Sequence, residues 1–484
     1  MDATSQRFRD NARGALADGR LKESLASFTK TFPEKRQKVI DRLPEFDALR
    51  DEGVSIKNHV LANLDFYLER FEAKAAAAGT KIHWCRDAAE ARETILAICR
   101  SAGARTVTKS KSMIGEEIAI NEFLEANGVR PVETDLGEYI IQVRGESPSH
   151  ILVPAIHLKG PDIAETFREK HTALPAGRAL DQPEAILREA RTVLRGEFLA
   201  ADVGLTGANM LVAETGSIVV VTNEGNADLV MSLPKVHVAV ASLEKVVPTL
   251  EDAATILRLL ARSATGQDIT AYTTFATGPK RPGDPDGPDE FHIVLMDNGR
   301  TAMLGGEFRD MLRCIRCGAC LNHCPVYAGI GGHAYGWVYS GPMGSVLTPS
   351  LLGAHKADDL PNASTFCGKC EQVCPMRIPL PAMMRHLRER QFVSGGPAAK
   401  GRGALKLWAF LARRPALYRR AMALGVGLLA ILGRGRGRFR RLPLASAWTG
   451  PRDLPAPEGR TFQSLWAERR RGKPASRSRT EGRP

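Results

Sequence analysis

The sequence has no uninterrupted apolar run near the ~18 residues that a membrane-spanning helix needs. The apolar run of its tail, Ala421 to Gly433, has 13. The first residues, "MDATSQRFRDNARG", contain no apolar signal-peptide core. Both absences lead us to expect a cytoplasmic protein. No dependable G-x-G-x-x-G follows a predicted strand, so neither NAD nor flavin is expected. Acidic residues are scarce near the C-terminus, where residues 376–484 hold 25 Lys+Arg against 5 Asp+Glu. That stretch is net +20 in a chain of +13, which leaves −7 for the first 375 residues. The basic character therefore belongs to the tail and not to the whole protein.

What remains is an ordinary globular balance, 43% hydrophobic and 25% charged over 484 residues, enough for more than one domain. Residues 1–100 read as mostly helical; "ANLDFYLERFEAKAAAAG" and "DAAEARETILAICRSAG" each close on a glycine. Residues 101–302 alternate apolar runs with helical patterns. "YIIQV" (139–143), "HILVPAIH" (150–157), "SIVVVTNEGN" (217–226), "VHVAVAS" (236–242), "ITAYTTF" (269–275) and "FHIVLMDNG" (291–299) read as strands. Segments 114–128, 183–201 and 251–266 read as helices between them. This order predicts an α/β domain with a sheet covered on both faces. A cysteine-rich segment (303–392) follows, then a basic region (393–484) whose linker "VSGGPAAKGRGA" and last residues, "RRRGKPASRSRTEGRP", read as unstructured.

Seven of the nine cysteines fall between Cys314 and Cys374. Such clustering in a long chain without an export signal argues for metal and against disulfides. Cys85 and Cys99 stand alone and read as small core residues. "CIRCGACLNHCP" places Cys314, Cys317, Cys320 and Cys324 in C-x2-C-x2-C-x3-C-P, the run that binds four-iron clusters in bacterial ferredoxins. A zinc site would show paired C-x2-C knuckles instead. The second run, "STFCGKCEQVCP", supplies Cys367, Cys370 and Cys374 and has Ser364 at the first position.

In such pairs the fourth cysteine of each run ligates the other cluster. One set is then Cys314, Cys317, Cys320 and Cys374. The other is Cys324, Cys367 and Cys370, one ligand short. Three completions stand open: a three-iron cluster, a four-iron cluster with an open or oxygen-ligated iron at Ser364, or a ligand from between the runs such as His323 or His333. The expected cofactors are thus one 4Fe-4S cluster and one 4Fe-4S or 3Fe-4S cluster.

In the α/β stretch, Lys109 and Lys111 precede a predicted helix and suit an anion, or a solvated basic loop. Glu214 and Glu224 lie in "AETGS" and "TNEGN", where a carboxylate serves as a base or satisfies turn backbone. Gly216 and Gly225 in the same turns suit tight backbone bends. In the tail, residues 413–441 flank an apolar run with arginines. That pattern suits a peripheral helix on anionic lipid at the inner membrane face, or a helix packed on protein. Aromatic stacking positions are too few to suggest nucleic acid.

Several long motifs carry a family resemblance. "KSKSMIGEEIAINEFLEANGVRPVETDLGEYIIQVRGESPSHILVPAIH" (109–157), "TGANMLVAETGSIVVVTNEGN" (206–226) and "LARSATGQDITAYTTFATGP" (260–279) resemble the lactate-utilization (LUD) domain. The two cysteine runs and "DLPAPEGRTFQSLW" (453–466) resemble the remainder of the lactate utilization protein B family, so that the likeness covers roughly residues 50–470. The resemblance implies a LUD fold like those of sugar isomerases and CoA transferases, followed by a mainly helical, two-cluster ferredoxin-like domain and the tail. It implies the same shortened second run. It also implies an electron-transfer subunit of a complex oxidising L-lactate to pyruvate for growth on lactate, with a second iron–sulfur subunit and a second LUD-domain subunit as partners. Two further readings stay open: the LUD domain is itself catalytic, or the chain is a redox-sensing scaffold. Whether this chain alone is an enzyme is left open by the sequence.

Overall fold

The structure is a computed structural model that describes residues 3–394, 402–442, 445–449 and 452–471. The chain divides into two compact units, Met1–Gly396 and Pro397–Pro484. Of the last residues expected to be disordered, Arg469–Arg471 end the helix Phe462–Arg471, and the rest fall outside the described residues, as does most of the expected linker, whose last three residues begin the helix Arg402–Ala412.

The first unit is built on ten strands: β1 (Lys81–Cys85), β2 (Thr106–Lys109), β3 (Arg130–Glu133), β4 (Val203–Gly207), β5 (Met210–Val212), β6 (Ser217–Thr222), β7 (Val236–Ser242), β8 (Val246–Val247), β9 (Tyr272–Ala276) and β10 (Glu290–Met296). Six form a sheet in the order β1-β10-β7-β4-β2-β3, with every neighbouring pair parallel. The other four form a smaller mixed sheet, β8-β5-β6-β9.

Period-two burial explains the main sheet. Val236, Val238 and Val240 of β7 pack with Val294, Val107, Val203 and Leu205 on one face, under Ile95, Leu96 and Cys99 of the helix Ala88–Ser101. Ala239 and Ala241 alternate to the other face with Phe291, Ile293 and Leu295, under Tyr67, Leu68 and Phe71 of the helix Leu64–Ala77. Both faces are covered, as a parallel sheet requires. Cys85 and Cys99 are buried among these apolar side chains.

The structure corrects three local expectations. "YIIQV" is not a strand but part of the helix Leu136–Arg144. Asp135 caps it by accepting from Glu138 N, and Gly145 ends it in a left-handed conformation. These caps override the β-branched composition. "HILVPAIH" forms turns: Ser149 N donates to Pro154 O, and His150 Nδ1 accepts from Leu152 N and Val153 N. It is apolar because Ile151 packs into the core of the cysteine segment. The expected helix 114–128 is two short helices, Met113–Glu117 and Ile120–Ala126, broken at Ala119 with φ 53°. Strands β1 to β5, of three to five residues each, went unread; β9, also of five, was read because its run "ITAYTTF" is rich in threonine and aromatic residues.

Gly216, between β5 and β6, has φ 72°, and a Cβ there would sit 2.2 Å from Ala75 N. Gly216→Ala is expected to cost about 2–3 kcal/mol, from a left-handed alanine pressed on backbone. Urea unfolding of the variant checks this.

In the second unit, the helix Pro415–Gly433 runs 19 residues. It is long and apolar enough to cross a membrane by length and composition, the one such helix among the described residues. The expectation counted only the 13-residue apolar core. The first turns, with Arg419 and Arg420, belong to the same helix.

Candidate functional site

The two cysteine runs repeat one backbone path. Arg316 and Phe366, each just before a cysteine, have φ 59° and 54°. Gly318 and Gly368, each just after one, have φ 72° and 78° and cap the helices Ala319–Asn322 and Lys369–Val373. Glycine fits a left-handed position without strain. Ser364 thus stands in the second loop where Cys314 stands in the first, and its Oγ accepts from Phe366 N at 3.1 Å.

The fold brings the runs together crosswise. Cys314, Cys317, Cys320 and Cys374 line one small cavity with Met343 and Ile378 among its apolar walls. Cys324 and Cys370 are electrostatic neighbours of each other and of Cys367. The two groups adjoin, since Cys370 also acts on Cys320. Burial raises the thiol pKa at Cys317 and Cys320, with neighbouring cysteines adding to the effect. Backbone N–H groups oppose it: Ala319 donates to Cys317, Tyr327 and Val326 to Cys324, and Ile378 and Met376 to Cys374. Apart from the exposed Cys367, these are sheltered sulfurs with amide donors aimed at several of them, which fits iron–sulfur clusters.

Three buried arginines, in no recognisable motif, grip the second loop. Arg36 donates to Val373 O at 3.0 Å. Arg50 donates to Cys374 O at 2.8 Å and to Gln372 O at 3.0 Å. Arg313 donates to Arg377 O at 3.4 Å. Arg36 and Arg50 come from the N-terminal helices Gly19–Asp41 and Phe46–Ala62, whose Leu25, Phe28 and Leu49 pack into the cysteine core. Their charges stand beside the thiols and favour an anionic group there.

The other candidates are placed as follows. His323 Nδ1 donates to Ala319 O at 2.8 Å, and burial lowers its pKa to about 4. His333 Nε2 donates to Ser147 O at 2.7 Å. Lys109 is locked by Glu116 at 2.6 Å and by Glu133. Burial opposes its charge, but the two carboxylates outweigh burial and keep it protonated. Glu214 accepts from Leu250 N at the start of the helix Leu250–Ala264.

Lys111 and Glu224 line a separate crevice of about 270 Å³. It opens where Ser110–Ser112 follow β2, Gly207 ends β4 with Ala208 and Asn209 after it, and Lys245 follows β7. From β2 the chain moves outward to β3, then returns through β4, β7 and β10 on the other side. The crevice therefore lies at the switch point outside the carboxyl ends of the strands, where open α/β sheets bind ligands. Burial, with Asp135 beside it, raises the Glu224 pKa to about 7. Arg316 and Ile151 line both this crevice and the four-cysteine cavity.

Beneath that shared wall lies a buried charge network. Arg300 donates to Glu117 at 2.9 and 2.7 Å and pairs with Glu244 at 3.0 Å. Arg316 pairs with Glu244 at 3.4 Å and lies over the Tyr339 ring. Tyr339 Oη donates to Glu117. Burial would raise the Glu244 pKa, but Arg300 and Arg316 bring it down to about 2.

Three family models match the chain. Residues 68–296 match the LUD domain, 310–378 a 4Fe-4S dicluster domain, and 388–471 the C-terminal domain of lactate utilisation protein B. The chain accordingly carries two iron–sulfur clusters. An uncharacterized electron transport protein, YkgF, of Escherichia coli K12 is 40% identical over 94% of this chain and 95% of its own. Lactate utilization protein B of Lysinibacillus sphaericus is 40% identical over 98% and 99%, and that of Bacillus thuringiensis 38% over the same shares. Identity of this degree, sustained along nearly the whole length, shows that the chain belongs to the lactate utilization protein B family.

Proposed function

We propose that the chain is the iron–sulfur electron-carrying subunit of a complex that oxidises L-lactate to pyruvate. Its partners are a second iron–sulfur subunit and a second LUD-domain subunit. The observation that carries this reading is the gathering of seven cysteines into two adjoining groups, in a chain whose relatives are named for lactate utilization and electron transport. Cys314, Cys317, Cys320 and Cys374 would hold one cluster; Cys324, Cys367 and Cys370 would hold the other, with Ser364 at the vacant position of the motif. Each cluster, when bound, carries one electron at a time.

The residues around it do the rest. Met343, Met376, Ile378 and Leu380 exclude water from the first group. Arg36, Arg50 and Arg313 offset negative charge and fix the second loop. Burial, local charge and hydrogen bonds to sulfur are the means by which a protein sets cluster potential.

A second reading, that the LUD domain is itself the oxidation site, is favoured by one observation. The crevice and the four-cysteine cavity share a wall. Reductive titration of the purified full chain tests the carrier reading. About two electrons per chain are expected, one for each cluster. A chain that takes up none in the potential range of biological carriers is not an electron carrier.

A further inference from the structure

The crevice at the β2/β4 switch point holds cationic groups with donors left over, although Arg316 Nη2 pairs with Glu244 and Lys111 with Glu138. Its lining includes Lys111, Lys245 and Arg316 against Asp135 and Glu224. Both carboxylates are already used by backbone: Asp135 accepts from Glu138 N, and Glu224 from Leu136 N. Lys111 donates once, to Leu152 O at 2.9 Å, and stands 3.6 Å from Glu138.

Among the described residues, none offers Lys245 Nζ a hydrogen bond or ion pair. Arg316 has a side chain only 9% exposed, and its Nη1 has no hydrogen-bond partner. An unpaired buried guanidinium nitrogen is costly and calls for an acceptor. Asn209 Oδ1 accepts from Val221 N, which leaves its Nδ2 as a further donor on the lining. Leu260, Ala261 and Ala264 form an apolar patch on the same wall system.

We propose that this crevice binds a small monocarboxylate, with Lys245, Arg316 and Lys111 holding the carboxylate and Leu260, Ala261 and Ala264 taking its short carbon chain. A guanidinium matches a carboxylate in a paired, planar fashion, and the apolar patch suits a methyl group better than it suits a phosphate oxygen. That the acid is a 2-hydroxy or 2-oxo acid rests on the lactate reading above. Because Arg316 also borders the four-cysteine cavity, such an acid lies one layer of side chains from those cysteines.

Calorimetric titration of the cluster-loaded full chain tests the site. The probes are L-lactate, pyruvate, inorganic phosphate and the neutral 1,2-propanediol. Binding of at least one of the two acids is expected at one per chain. Propanediol is expected to give no heat, and phosphate is expected not to displace the acid. Lys245→Gln is expected to weaken the acid at least roughly tenfold, as loss of one charge-assisted contact implies. Should Lys245→Gln lose its cluster absorbance, Lys111→Gln decides in its place, with weaker binding again expected.

No binding of either acid overturns the proposal, as does binding of phosphate alone. Unchanged affinity in both variants does the same. If lactate reduces the clusters in the assembled complex while this chain binds no acid, the crevice proposal fails and the carrier reading stands. Acid binding without lactate-driven reduction is the reverse case.

Discussion

Replacing Cys374 with alanine is expected to destroy the cluster of the upstream run and to spare the one beside its own sequence neighbours. Cys374 lies four residues after Cys370, so proximity in sequence would assign both to one cluster. The fold separates them. Cys374 lines the cavity of Cys314, Cys317 and Cys320, while Cys370 has Cys324 and Cys367 as neighbours. Each four-iron cluster holds about four irons, and losing one of four thiolates removes most of it.

Iron per chain is therefore expected to fall by about half in Cys374→Ala. The EPR signal that survives should match the one that survives in Cys314→Ala, Cys317→Ala and Cys320→Ala. Cys324→Ala should instead match Cys367→Ala and Cys370→Ala. If Cys374→Ala falls with Cys367→Ala, the crosswise assignment is wrong.

The second large effect is expected at Arg300, which lies outside both cysteine runs. Its side chain is 2% exposed and joins Glu117 to Glu244, which in turn pairs with Arg316. Arg300→Met leaves two carboxylates buried without their main counter-charge. Removing one partner of a buried ion pair typically costs about 3–5 kcal/mol. The loss is expected to exceed that of Gly216→Ala. Arg300→Lys keeps the charge but not the fork that reaches both carboxylates, so an intermediate loss of about 1–3 kcal/mol is expected. Urea unfolding of the three variants at neutral pH orders them. Equal stability of Arg300→Met and the parent chain would mean that the network is compensated elsewhere.

The cysteine pattern was readable in the sequence because cluster ligands come from short runs with fixed spacing. The crosswise grouping followed from the same spacing. The crevice was only half readable. Lys111 stood out because it precedes a predicted helix, and Glu224 because it lies in the turn "TNEGN". Lys245 and Arg316 did not, since one follows β7 and the other sits inside the cysteine run. Only the strand order brings them to one wall. Arg36 and Arg50 belong to no motif, and only tertiary packing reveals that they point at the second loop. Lys109 misled in the opposite direction. Its motif suggested an anion ligand, but Glu133 of β3 and Glu116 enclose it. "HILVPAIH" had the apolar content of a strand because it docks against the cysteine core, and Pro154 with its turn hydrogen bonds keeps it from extending.

The central claim is that electrons from L-lactate pass through this chain. Freeze-quench EPR on the assembled complex, mixed with L-lactate in the absence of acceptor, tests it most directly. Signals abolished by Cys374→Ala or Cys324→Ala are expected to change at a rate at least equal to turnover. Signals from this chain that stay unchanged while pyruvate forms would contradict it.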